Sequence, residues 1–275
     1  MFMAKKFTPQ QSFGWRPDLP DARDLMFSAN AKVLRTLKPA VDLRPKFEFN
    51  VYDQGHIGSC TANAIAAAIQ FDRAKAGQAP SFTPSRLFIY YNERNMENTV
   101  RYDAGAYIRD GIKSAAKLGV CKETTWPYDD TAPPNQDAPF PDGAPASTKP
   151  PKAAYAEAEN FQVVSYMRLM RNLSQLRSCI AEGFPFIFGF TVYESLRGED
   201  GLPQATVPLP NLAREKVVGG HAVLAVGYDD AKQVFIVRNS WGPDVQDKGH
   251  FYMPYAYITD PGLCDDFWTI RTVEA

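Results

Sequence analysis

Histidine is scarce in this chain of 275 residues. Only three are present, so a general acid or base working near neutral pH has few candidates. The four cysteines, at positions 60, 121, 179 and 264, form no CxxC pair and no cluster with histidine. That distribution fits neither a disulfide scaffold nor a zinc site. Excess charge is missing as well. Thirty basic side chains face 31 acidic ones, a formal net charge of -1, which gives no electrostatic draw toward nucleic acid or an anionic membrane. Long apolar runs are absent too. A stretch such as FPFIFGF at 184–190 falls well short of the about 20 residues a membrane helix needs. At the N-terminus, MFMAKKFTPQQSF follows its two lysines with polar residues and Pro9 instead of an apolar segment, so no Sec-type leader is expected. Cellular location and redox compartment stay open.

What is present is length enough for one domain, or two lobes sharing a core. Residues 1–38 are polar and punctuated by proline, and GWRPDLPDARDLMF within them reads as extended and then briefly helical. The segment is expected to be an N-terminal extension of a main fold over 39–275. A helix is predicted from about Ser59 through CTANAIAAAIQFDRAKAG, with Ile65 and Ile69 on one face, alanines supplying propensity and Gly77 as a stop. SRLFIYYNERNM and AYIRDGIKSAAKLGV carry helical spacing as well, making a helical lobe over about 55–130.

Between Pro127 and Pro151, eight prolines fall in twenty-five residues, a composition that suits neither helix interior nor central strand. A long surface loop is expected, either bordering a cleft or inert. FQVVSYM, a helix at LSQLRSCIAEG, then PFIFGFTV, HAVLAVGY, QVFIVRNSW and HFYMPYAYI predict a β lobe over about 160–275. Helices first and short strands second make an α+β fold of two lobes with a cleft between them.

Each histidine can be weighed in its local setting. His221, in VVGGHAVLAVGY, follows two glycines that leave the backbone uncovered just before an apolar strand, so its imidazole should emerge beside open space. His250, in KGHFYM, reads as a strand-opening surface residue, and His56 lies in a glycine turn four residues before Cys60. Cys60 stands apart from the other cysteines because it follows Gly58-Ser59 and opens a helix, where free N–H groups and the macrodipole favour a thiolate. Cys121 and Cys179 read as small core hydrophobes.

Together DQGHIGSCTANA, GGHAVLAVGY and VRNSWG resemble, in order, the nucleophile, histidine and asparagine segments of papain-like cysteine proteases. The likeness starts at PAVDLRPKF and runs over roughly 39–275. It implies a two-lobe fold, with a helical N-terminal lobe and a β-barrel-like C-terminal lobe flanking an active-site cleft. By that resemblance Cys60 is the nucleophile, His221 its imidazolium partner and acid, and Asn239 the residue that orients the ring. Trp241 is similar to the tryptophan that shields the histidine–asparagine bond. Gln54, six positions before Cys60, matches the glutamine that joins the Cys60 N–H in an oxyanion hole.

The sequence also departs from the family pattern. Ile57 and Thr61 replace a usual disulfide cysteine and a usual aromatic residue, and Cys264 lacks its usual partner, so free thiols are expected. The 161 positions from Cys60 to His221 exceed the about 130–150 typical of such enzymes, an excess the proline-rich loop can absorb. For substrate, Gly219 and Gly220 imply room beside the histidine. Asp265 is expected at a pocket base, favouring a basic residue two places before the scissile bond. Residues 1–38 are either a short prosegment over the cleft or an arm packed permanently on the β lobe. The expected activity is peptide-bond hydrolysis through a thioester acyl-enzyme, by a monomer acting on peptide or protein substrates, with no metal and no organic cofactor. Two alternatives stay open: a catalytically silent binding protein, and acyl transfer to an amine.

Overall fold

The computed structural model describes residues 13–47, 49–78 and 82–274; the first twelve residues of the expected extension lie outside the described residues. In chain order the elements are β1 (Trp15–Arg16), α1 (Ala31–Arg35), β2 (Ala40–Asp42), α2 (Cys60–Lys75), α3 (Arg86–Met96), β3 (Ala106–Tyr107), α4 (Ile108–Leu118) and α5 (Lys152–Ala158). They continue with β4 (Val163–Arg168), α6 (Leu173–Ala181), β5 (Phe186–Tyr193), β6 (Val217–Asp229), β7 (Val234–Arg238), β8 (His250–Pro254), α7 (Tyr255–Ile258) and β9 (Cys264–Val273).

The fold is α+β, and it is organised around α2. Fourteen of its sixteen residues are buried, in keeping with an alanine-rich sequence that offers no polar face. Small side chains at 62, 64, 66, 67 and 68 let it lie close to β6 and β9 on one side and to α3 and α4 on the other. Ile65 and Ile69, both fully buried, join it to the helical cluster.

The sheet is antiparallel, ordered β4-β9-β5-β6-β7-β8, with β2 added on β6. Its second face packs on α6 through Leu176, Cys179 and Ile180 and is filled by Phe186, Phe188, Phe190, Phe235, Phe251 and Phe267. Strand β6 is the pivot, pairing with β5 along most of its length and with β7 and β2 at its far end. It therefore holds His221 rigidly at the seam between the two hydrophobic clusters.

Two local readings needed correction. The brief helix expected within GWRPDLPDARDLMF forms later, at α1, where the Asn30 side chain caps the Lys32 N–H. HFYMPYAYI is half strand and half helix, β8 giving way to α7 after Pro254. The proline-rich stretch is the expected long surface loop, without α-helix or strand, anchored at a few points: Phe140, Ala144 and Ala146 are buried against the helical lobe. Within it the Arg94 guanidinium donates to the Ala146 carbonyl. All four cysteines are free and buried. No helix among the described residues is long and apolar enough to cross a membrane.

The N-terminal arm is woven into this frame. Trp15 and Arg16 pair in parallel with Ala106 and Tyr107. Further on, the arm clamps the edge of β4: Phe27 N–H donates to the Arg168 carbonyl at 2.8 Å and Arg168 N–H to Leu25 at 2.8 Å.

Candidate active site

Helix α2 begins at Cys60 without a side-chain cap, because the Ser59 hydroxyl is 2.6 Å from Tyr128 Oη instead. Just upstream, the turn at 55–58 is pinned from two directions. The Asp103 carboxylate accepts from Gly58 N–H at 2.9 Å, and Asp130 accepts from His56 N–H while lying 2.7 Å from its Nδ1. Tyr128 and Asp130 belong to the start of the proline-rich stretch, so that end of it does border the nucleophile turn. Within the turn Gln54 is fully buried; its Nε2 donates to Ile57 O at 3.0 Å and its Oε1 accepts from Ser240 Oγ at 2.6 Å.

On β6, His221 is fully buried. One of its ring nitrogens, Nε2, lies 2.8 Å from Asn239 Oδ1. The same oxygen accepts the Ser240 backbone N–H at 2.9 Å, so it is the acceptor and Nε2 carries the proton. Nδ1 is left bare and buried, with no hydrogen-bond partner among the described residues. Trp241 stacks over the imidazole at 4.8 Å between centroids and 19° between planes, and Phe190 meets it edge-on at 5.7 Å. The histidine–asparagine bond is thus held in an aromatic enclosure.

Cys60 reaches this place from the helical lobe. Its sulfur lies against the backbone of Ala222, the residue after His221, and of Gly14 in the arm. Burial pushes the thiol up to about 12, while hydrogen bonding from Ala222 and Gly14 favours the thiolate less strongly. From its ordinary value of 9 that is about 4 kcal/mol against the anion, more than the about 0.3–2 kcal/mol a helix N-terminus returns. Burial also drives His221 down to about 4, against the opposing pull of its Asn239 bond. With the arm in place, burial favours the neutral thiol and the neutral imidazole over the ion pair that the sequence leads one to expect.

The arm fills the cleft. Gly14 O accepts from Ala106 N–H at 2.7 Å, and a Cβ on Gly14 would lie 1.7 Å from Gly58 O. Only glycine passes there. Phe13 stands edge-on to His221 at 5.7 Å and to Trp241 at 6.1 Å. The glycines expected to leave room do so, and the arm takes it: a Cβ on Gly219 would come within 2.8 Å of Phe13, and one on Gly220 within 2.4 Å of the Trp15 carbonyl oxygen. Trp15 itself sits in a pocket against Gly189, and its indole N–H donates to Asp266 at 3.1 Å.

That last contact falls on the residue after Asp265, the acid expected at a pocket base. The Asp265 side chain is 42% exposed and reaches out to Arg168 and Arg171 at 3.4 and 3.1 Å. Asp266 is the buried acid beside Trp15, accepting also from Asp18 N–H at 2.7 Å and Arg168 at 2.9 Å. His250 was likewise read as a surface residue but is buried, 8% exposed, and lowered to about 4 by burial. Among the residues the sequence did not single out are Ser240 and Gln246, whose amide oxygen accepts from Asn239 Nδ2 at 2.9 Å.

Comparison with known proteins gives a consistent set. Residues 37–264 match the family described as papain family cysteine protease. An uncharacterized peptidase C1-like protein of Acanthamoeba polyphaga mimivirus is 37% identical over 97% of this chain and 88% of its own length. Xylellain, a cysteine protease from Xylella fastidiosa, superposes with a TM-score of 0.92 at 50% identity, covering 99% of this chain and 100% of that one. A procathepsin B of Trypanosoma congolense, at 16% identity, shares the fold with a TM-score of 0.70 over 97% of this chain and 87% of its own.

Proposed function

This chain belongs to the papain family of cysteine proteases, and from that premise we propose that Cys60 is its nucleophile and His221 the acid and base that serves it. A single observation carries the assignment. The His221–Asn239 bond leaves Nδ1 as a bare acceptor, buried within β6, where the residue after His221 touches the Cys60 sulfur. Once water or substrate replaces the arm, Nδ1 can take the thiol proton. The thiolate then attacks the peptide carbonyl, and the imidazolium protonates the departing amine to leave a thioester. Hydrolysis of the thioester by water returns the free thiol. Gln54 Nε2 and the Cys60 N–H are assigned to the oxyanion, with Ser240 holding the Gln54 amide by its other end. Trp241 screens the His221–Asn239 bond.

The groove now filled by residues 13–15 is assigned to substrate. Gly219 and Gly220 form its wall, and the Trp15 pocket receives one substrate side chain. In this reading Asp266 takes the role expected of Asp265, favouring a side chain that brings N–H donors or positive charge. The arm is an intramolecular occupant of the groove, consistent with proforms of papain-like proteases, among them procathepsin B of Trypanosoma congolense and procathepsin L 3 of Tenebrio molitor.

The direct test is a Cys60→Ala variant assayed on a peptide library under reducing conditions. Hydrolysis is lost while the circular dichroism spectrum is retained, and an alkylating electrophile maps to Cys60 in the parent chain. Undiminished cleavage by the variant would overturn the assignment.

A further inference from the structure

Gln246 stands in a backbone conformation that side chains rarely occupy, φ +57°. Strain of that kind persists where the surrounding structure enforces it, and here the side chain has two defined partners. Gln246 Nε2 donates to the Gln204 carbonyl at 2.9 Å, and its Oε1 accepts from Asn239 Nδ2 at 2.9 Å. Both ends of this chain of bonds are unambiguous. A backbone carbonyl can only accept, so Gln204 O fixes which way the Gln246 amide points. A backbone N–H can only donate, so Ser240 fixes Asn239 Oδ1 as an acceptor. Between them Asn239 has one orientation, with its oxygen toward His221 Nε2.

We propose that Gln246 is a positioning residue for the reaction, holding the Asn239 amide so that His221 keeps its proton on Nε2 and presents Nδ1 as the base. The inference rests on the assignment of His221 as the base of a Cys60 thiol. Loss of the Gln246 bond leaves Asn239 Nδ2 without this acceptor, held only through the Ser240 and His221 contacts of its oxygen, and frees the amide to turn. With Nδ2 facing the ring, the favoured tautomer is the one protonated on Nδ1, which cannot accept a proton from sulfur. Gln246 touches neither substrate nor the reacting atoms, and its effect passes entirely through Asn239.

Two variants of equal backbone strain separate the bond from the backbone. Gln246→Met keeps the length and loses the acceptor, whereas Gln246→Glu keeps an acceptor for Asn239. Gln246→Gly relieves the strain and guards against misfolding. The first readout needs no activity: 15N NMR of histidine-labelled full-length protein carrying Cys60→Ala. The His221 resonances should report the Nε2-protonated tautomer in the parent and in Gln246→Glu, and a mixture in Gln246→Met and Gln246→Gly. The second is kinetic, on the Cys60 form of the full chain. Gln246→Met should lower kcat by about tenfold, the scale of one ordinary hydrogen bond, with KM within a factor of two, and Gln246→Glu should recover most of that loss. An unchanged tautomer and unchanged kcat in both Gln246→Met and Gln246→Gly would overturn the proposal. So would equal losses in Gln246→Met and Gln246→Glu, since the side-chain acceptor would then be irrelevant. If Cys60 and His221 prove not to be catalytic, the kinetic arm fails while the NMR arm still decides the positioning claim.

Discussion

Asp266 shows how much one residue's direction can matter. Strands β5 and β9 slip register between the pairs Ile187–Trp268 and Gly189–Asp265, and Asp266 at the slip has φ +57°. Side chains alternate along a strand, so one extra residue exchanges the inward and outward faces. The sequence pointed to Asp265 and could not show which of the two neighbouring acids turns inward, because a bulge leaves no compositional mark. The proposed pocket role gives a measurable ratio: Asp266→Asn should reduce kcat/KM for peptides with a basic residue two places before the cleaved bond by about tenfold relative to neutral ones. Equal losses for both classes would show that the residue serves structure alone. By contrast, Cys60, His221, Asn239 and Gln54 were legible as candidates because their motifs are local and ordered along the chain. Gln246 was not, since neither a positive φ at glutamine nor a partner amide is written in the string.

At the scale of elements, α2, α3, α4 and α6 were readable from spacing because each buries a contiguous face or is wholly enclosed. An N-terminal arm was expected, but its partners were not readable. Trp15 finds its partners at Ala106, Gly189 and Asp266, all far along the chain, and no local pattern encodes such contacts. Two anchors divide the arm: the groove contacts of 13–18, and the clamp of 25–27 on β4. Weakening the first while keeping the second should free the groove without releasing the arm. Trp15→Ala empties the pocket and removes the Asp266 bond, for a loss of about 3–5 kcal/mol of local packing. In the full chain kcat/KM should rise at least tenfold, with the intact mass unchanged by mass spectrometry. A variant no more active than its parent would argue that residues 13–15 do not limit access.

Across the whole molecule, the arm and the body meet at a pair of carboxyls. Asp18 of the arm is pushed up to about 7, first by burial and then by the charge of Asp266, with Arg109 and the Trp268 indole opposing. Asp266 is raised as well, by burial first. Arg109 pairs with Asp24, and Arg168 with Asp24, Asp265 and Asp266, completing the charged surroundings. A carboxyl raised in the folded state binds a proton that the unfolded state has already released. The sign therefore runs against the usual acid: the contribution of Asp18 to stability is full below about pH 4, falls as the pH rises toward 7, and is gone above it. Asp18→Asn should flatten that slope in thermal melts between pH 4 and 7 and slow the opening of the groove at neutral pH. A slope equal to the parent's would assign the pH dependence to other groups.

The enclosed sulfur has a consequence beyond blocked access. Oxidants and electrophiles react with thiolates far faster than with thiols, so with Trp15 seated, burial both disfavours the anion at the proposed nucleophile and keeps it out of reach. Damage by peroxide should then track the fraction of molecules caught open at any moment, and the same substrate that calls the enzyme into action would also expose it to inactivation.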